Sequence, residues 1–499
     1  GLAPSVPKPA RAPGGPASLA RERAAVASQG RGAAPTAPPA RSLPIAASSA
    51  APESVGAAAP GAPPESAGAA APGAAQRETT RAATSLSLHD EPVSPADSAA
   101  DMARIRSDFT PLNRAYATTR EALGFIDPLY GILVALLILF TRLSAWMRDV
   151  ARRCGSRRYV HTLVYFALYL VVSFLLGFPL AFYEGFAVEH QYGLSTESFG
   201  GWLGQELIAL GVGFFFFGVV PLVRLAYAAF ARWPRRWWVA LGVASLPVIL
   251  IGVLIEPVVV DPLFNKFTPL QDKHLEAQIL DLARRAGIPA RHVYQVDKSK
   301  QTVKYNAYVN GFGPSQRVVI WDTTLKGMKP DEILFVVGHE SGHYKLGHVW
   351  TTIALMVPFA FLVFWLSSAL MGVLISAWGP RWGFAELHDL ASLPLVVLAI
   401  TVFSFLAGPA LGALSRGMEH QADVFGLEVT HSNDAAARTF IKLGSQNRSN
   451  PEPSALVKFF EYDHPPLLER VRFAISYRPW AEGKPDHYYR PLMRSAARR

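Results

Sequence analysis

A single cysteine, Cys154, in 499 residues leaves no intramolecular disulfide and no thiolate cluster for a zinc ribbon. Any metal in this chain must therefore rest on histidine and carboxylate. Charge is scarce too. Only 17% of the residues are charged, against about 25% in an ordinary soluble domain, while 50% are apolar. That balance favours a membrane protein. Residues 1–105 have few large apolar side chains. Ala, Pro, Gly and Ser prevail there, and Ala-Ala-Ala-Pro-Gly-Ala occurs at 57–62 and again at 69–74. No core can form to offset chain entropy, so this stretch reads as a disordered extension. The chain begins at Gly1 rather than Met, which leaves open a removed leader or an earlier span.

From residue 125 the character reverses. Four long apolar runs, at about 127–147, 159–183, 206–230 and 237–259, are each long enough to cross roughly 30 Å of hydrocarbon as a helix. Two more follow, at 349–377 and 388–414. Phe214 to Phe217 offer no polar face, as a helix in lipid allows and a surface helix does not. The segments then divide as 106–259 (four spans), 260–348 (a soluble insert), 349–414 (two spans) and 415–499 (a soluble C-terminal part). The formal charge of +10 sits largely in arginine clusters beside the apolar runs, where topology and lipid head groups explain it. A lipid bilayer is the expected partner and nucleic acid is not.

The insert carries the chemistry. Asp272 opens an amphipathic helix (Leu275, Ile279, Leu282) that stops at Gly287-Ile288-Pro289. Strand-like stretches follow at His292 to Val296, Val303 to Val309 and Arg317 to Trp321. Pro330-Asp331 then starts a helix bearing His339-Glu340-Ser341-Gly342-His343. Two histidines four apart face the same way, and the glutamate beside the first reaches whatever they hold, which is the H-E-x-x-H zinc signature. Catalytic zinc wants three protein ligands and a water. Glu419, in the later run Ser415 to Asp423, offers the third, and Asp423 lies one turn on, placed to hold the free nitrogen of a ligand histidine. Glu340 then serves as general base toward the attacking water. Other readings stay open at this point. Glu419 could pair with Arg416 as a solvated helix charge, Asp423 could only decorate the helix, and His348 or His420 could replace a ligand. On a regular helix, however, His348 points away from the pair.

These residues, with Glu189-His190-Gln191-Tyr192-Gly193-Leu194-Ser195, Asp261 to Asp272, Asn306-Ala307-Tyr308 and Asp463-His464-Pro465-Pro466-Leu467-Leu468-Glu469-Arg470, resemble the type I CAAX prenyl proteases, multi-pass membrane zinc metallopeptidases. The resemblance spans about 120 to 475. It implies one Zn²⁺ per chain on His339, His343 and Glu419, with Glu340 as general base and Asp423 and Arg416 in support around the ligands. It also implies a strand at Asn306, Ala307 and Tyr308 that aligns a peptide, and His464 beside the oxyanion. The substrate would be a peptide or protein, prenylated or membrane-associated.

The fold so implied is mostly α. It is a multi-pass transmembrane bundle of about six spans with a small zincin-like α/β insert. Eukaryotic members have seven spans, so the extension stands where their first would be. Arg142, Arg148, Arg152, Arg153, Arg157 and Arg158 lie on one membrane face with Arg232, Arg235 and Arg236, whereas Glu184 to Glu206 contains no Lys or Arg. Positive charge on the cytoplasmic side then puts the insert on the opposite face, which favours quality control of membrane or exported proteins over prenylated cytosolic substrates. A transporter or idle scaffold with a structural metal, and a zinc hydrolase acting on another bond, are the competing classes.

Overall fold

The computed structural model describes residues 95–497 apart from 220 and 312–315, within the compact unit Arg77–Arg499. Most of the expected disordered extension, and the turn at 312–315, lie outside the described residues. The last part of the extension differs from expectation, since Pro95–Asp108 is a helix. Its Met102 and Ile105 are buried against Ile441, Leu468, Val471 and Ile475. Two apolar positions three apart are too short a pattern to stand out in a sequence.

Among the described residues, six helices are long and apolar enough to cross a membrane: Pro111–Phe140, Arg158–Gln191, Phe199–Arg232, Trp237–Phe264, His348–Trp382 and Leu390–Thr430. They leave large apolar side chains uncovered, as at Leu133, Leu175 and Val243, each at least 60% exposed. In water such a surface would be a liability, and in lipid it is the expected one. The chain is a multi-pass integral membrane protein. The first span starts well before residue 127, capped by Thr110, whose hydroxyl accepts from the Asn113 amide at 3.2 Å. Its polar early turns are occupied by protein contacts, Tyr116 donating to Glu189 at 2.7 Å. On the arginine-rich face, Arg148 donates to the Gly383 carbonyl at 2.9 Å and pairs with Asp389 at 2.8 Å.

The opposite face carries the insert. Its four-stranded sheet has the order β1 (Phe267–Pro269), β2 (His292–Val296), β4 (Arg317–Trp321), β3 (Ala307–Asn310), with β2 and β4 parallel and the outer pairs antiparallel. β3 is thus an edge. The helix Lys273–Arg285, N-capped by Asp272, buries Leu275, Ile279 and Leu282 in one core with Val293, Val318 and Ile320 of the sheet. Ile333, Leu334 and Val337 of the motif helix, Pro330–Lys345, complete that core.

The motif helix crosses the small-residue face of the long helix Leu393–Thr430. Glycine makes the approach possible. A Cβ at Gly342 would stand 3.0 Å from the Ala422 Cα, and one at Gly426 3.0 Å from the His339 nitrogen. Glu419, Ala422, Asp423 and Gly426 are spaced 3, 1 and 3 apart, one face of a helix. The two helices are therefore held at backbone contact where both carry polar side chains.

Candidate metal centre and active site

At that crossing His339 Nε2 and His343 Nε2 are 3.2 Å apart, and each lies 3.3 Å from an oxygen of Glu419. His339 and Glu419 are buried. Glu419 Oε2 has no hydrogen-bond partner although it is buried, which is costly unless a cation satisfies it. Donors about 2.05 Å from a shared centre at tetrahedral angles stand about 3.3 Å from one another. The three separations match that figure, so two imidazoles and a carboxylate fit a zinc ion in both spacing and chemistry.

The surroundings hold these groups in place. Asp423 Oδ1 lies 2.8 Å from His339 Nδ1, and Arg470 grips Asp423 through Nε at 2.9 Å and Nη2 at 2.6 Å. Burial works against a charged imidazole at His339, yet the hydrogen bond to Asp423 and the nearby Glu419 carboxylate outweigh it and raise its pKa to about 10. Two carboxylates around one ring make this a place for positive charge. Glu340 follows His339 on the helix, and burial pushes its carboxyl upward, opposed by the neighbouring histidines. The backbone of Val309 on β3 also works against that rise. His464 Nε2 is 3.3 Å from Glu419 Oε2, while its Nδ1 is 2.7 Å from Asp463.

The remaining expected residues fall in other places. Arg416 donates to the carbonyl oxygens of Lys458 and Tyr462, so it secures the chain leading to His464 and is not placed against the histidines. The supporting arginine there is Arg470. His420 packs edge-on to Phe473. His348 does not point away, because the motif helix ends before it: Gly347 is left-handed at φ 72° and a new helix starts at His348. Its Nδ1 comes within 3.0 Å of His343 Nδ1 and its Nε2 within 3.0 Å of Gln421 Oε1.

Among Asn306, Ala307 and Tyr308, the strand register separates the roles. The Asn306 carbonyl accepts from Trp321, and its amide donates to Thr324 Oγ1. Hydrogen-bonded pairs alternate along antiparallel strands, so Tyr308 pairs with Val319 of β4, and the main chains of Ala307 and Val309 face outward. The period of two would have pointed to Val309. The site opens on two larger cavities. One, of about 1220 Å³, runs from Glu340 and His343 between spans and is walled by Phe215, Phe216, Val248 and Ile251. The other, of about 580 Å³, is more polar and lies beyond Asn306 and His464.

A helical membrane bundle that sets an H-E-x-x-H helix against a glutamate-bearing partner belongs to the membrane metallopeptidases. Comparison with known proteins narrows this. Residues 269–478 match the model of peptidase family M48, and residues 105–266 match that of the CAAX prenyl protease N-terminal region, described as five membrane helices. Four of the six candidate spans among the described residues lie in that second stretch. The chain is 33% identical over 372 residues to YhfN of Bacillus subtilis, described as an uncharacterized metalloprotease, covering 74% of this chain and 86% of that one. It is 28% identical to the human CAAX prenyl protease 1 homolog, over 72% of this chain and 84% of the relative. The crystal structure of S. mikatae Ste24p shares the fold, with TM-score 0.64 and 24% identity over 80% of this chain and 95% of that one. The chain belongs to peptidase family M48.

Proposed function

We propose that the protein is a zinc-dependent membrane endopeptidase in which His339, His343 and Glu419 hold the metal and Glu340 is the general base. The carrying observation is the triangle of His339, His343 and Glu419 donors at zinc-ligand spacing. A zinc ion held there would lower the pKa of a water and polarise the scissile carbonyl. Asp423, fixed by Arg470, keeps the proton of His339 on Nδ1 and leaves Nε2 free as a donor to metal. The Glu340 carboxylate takes the proton of the attacking water and returns it to the leaving amine. His464 Nε2 sits where a proton donor could stabilise the developing oxyanion.

A substrate strand adding to the outward edge at Ala307 and Val309 would bring its main chain past Glu340. The large cavity walled by phenylalanines beside Glu340 supports a substrate with an apolar group or membrane segment, as a prenylated or membrane-associated protein has. The role is therefore read as CAAX-type protein processing or quality control of membrane proteins.

Glu340→Gln is the test. The purified variant should retain zinc at the wild-type stoichiometry while peptide hydrolysis falls about a hundredfold or more, and chelator should abolish the wild-type reaction. Undiminished hydrolysis by the variant would sink the mechanism.

A further inference from the structure

The helix crossing at the metal centre is made of small residues, Ala422 and Gly426 against Gly338 and Gly342, and such a contact buries little apolar area to hold itself shut. A second tie lies further along. Nine residues beyond Glu419 on the same helix, Glu428 is completely buried, and its carboxylate is engaged by four donors. Oε1 accepts from the Tyr477 hydroxyl at 2.5 Å and from the His487 amide, while Oε2 accepts from the Tyr488 and Tyr489 amides, both at 2.8 Å. Hydrogen bonds to an ionised acceptor are the strong ones. The helix Tyr489–Ala497 starts at these amides, so its dipole favours the same negative charge. Breaking the set would leave a buried charge bare.

The two segments anchored in this way reach the rest of the centre. Tyr477 caps the helix Leu467–Ser476, whose Arg470 grips Asp423. Glu428 and Asp423 thus fasten that helix at two places. The other segment lies past residue 478, where the match to peptidase family M48 stops. There Tyr489 stands edge-on to Phe425 with ring centroids 5.9 Å apart, and its hydroxyl donates to the Arg285 carbonyl at 3.3 Å. Tyr488, Tyr489 and Leu492 pack onto the core that Val337 of the motif helix shares with Phe425 and Val429 of the Glu419 helix. A Cβ at Gly287 would meet Lys345 Nζ at 2.7 Å and Met493 Cε at 3.2 Å, so the last turn of the motif helix and the C-terminal helix close on one turn of the insert. Residues 479–497 therefore span both helices of the crossing.

We propose that Glu428 is a positioning residue of the metal centre, acting through the C-terminal segment 479–497, which it fixes as a strap holding the Glu419 helix against His339 and His343. This rests on the metal-centre reading above.

The test uses the full-length, zinc-loaded protein in detergent. Zinc release is followed by capture with a chelator, and exchange of the 487–489 amides by mass spectrometry. Glu428→Gln keeps the shape but loses the charge and one acceptor. It should speed exchange at those amides about tenfold and zinc release about threefold to tenfold, less than the loss of a group that touches a ligand directly. A chain ending at Arg478 should release zinc at least as fast. In that shortened chain Glu428→Gln should add less than twofold, because the strap through which it acts is gone. Ile138→Ala, in the core on the arginine-rich face, should lower the melting temperature yet release zinc at the wild-type rate. Leu492→Ala loosens the strap from its packed side, should speed zinc release about twofold to threefold, and serves where Glu428→Gln fails to fold. Wild-type zinc release in both Glu428→Gln and Leu492→Ala, additive effects in the shortened chain, or equal acceleration in Ile138→Ala overturns the strap and leaves the metal site standing. A wild-type protein that binds no zinc overturns both.

Discussion

His348 Nδ1 lies 3.0 Å from His343 Nδ1, across that imidazole from the nitrogen that faces Glu419. One of these two nitrogens must donate. If His343 gives its Nε2 lone pair to a metal, its proton is on Nδ1 and points at His348, which then carries its own proton on Nε2, toward Gln421 Oε1 at 3.0 Å. Each histidine of the pair thus has the nitrogen remote from Glu419 fixed, His339 by Asp423 and His343 by His348. Replacing His348 with alanine should weaken zinc binding about tenfold to a hundredfold, the usual cost of losing such a partner. Competition with a zinc chelator of known affinity measures this. Unaltered affinity would show that His343 needs no help from His348.

Gly426 makes a different prediction, because its contact is with backbone. The added methyl of Gly426→Ala would meet the His339 nitrogen at 3.0 Å and its Cα at 3.1 Å. Backbone cannot swing aside as a side chain can, so the two helices must separate. Overpacking of this kind costs about 1–3 kcal/mol, and here it also moves Glu419 away from His339. Zinc affinity should fall together with thermal stability in detergent. A variant with wild-type zinc affinity would show that the crossing has slack.

The readable and unreadable parts of this site divide by sequence distance and by helix continuity. His339, His343, Glu419 and Asp423 were legible because ligand spacing on a helix repeats every three to four residues. The six spans were legible because lipid demands long apolar runs, although the polar first turns of Pro111–Phe140 hid its start. Arg470 reaches Asp423 from 47 residues away, a pairing that no local pattern announces. One continuous helix would turn His348 away from the pair, and the left-handed Gly347 turns it back. β1, three residues long, carries no periodicity at all.

The N-terminus of the motif helix predicts a pH effect. Glu332 is fully buried and receives Lys442 at 2.7 Å, Arg438 at 3.2 Å and the Lys329 amide at 2.7 Å. Burial opposes its ionisation, but these partners outweigh it and hold the carboxyl below the usual glutamate range. The unfolded chain, with an ordinary pKa of about 4.3, takes up a proton first on acidification. The stabilisation is thus complete at neutral pH and is lost as pH falls from that value through the lower folded one. Glu332→Ala should lower stability at pH 7 by about 2–3 kcal/mol, toward the low end for a broken buried pair because Arg438 and Lys442 keep contact with water. The difference between variant and wild type should shrink on going to pH 3. Melting curves at the two pH values check this, and a constant difference would assign the loss to packing.

The arginine-rich turns predict the orientation of the whole protein. Arg148 is engaged by Asp149 and Asp389 and offers little free charge, but Arg142, Arg157, Arg158, Arg235 and Arg236 remain on that face. Positive charge is retained on the cytoplasmic side, so the sheet and the histidine pair should lie on the other. The chain carries its own reporter, since Cys154 is exposed in the arginine-rich turn. In intact cells a membrane-impermeant maleimide should leave Cys154 unlabelled until the membrane is permeabilised. A Cys154→Ser chain bearing Arg291→Cys, at an exposed position just before β2, should label without permeabilisation. The reverse pattern would put the catalytic face in the cytoplasm, within reach of cytosolic prenylated proteins, and would remove the argument for exported substrates.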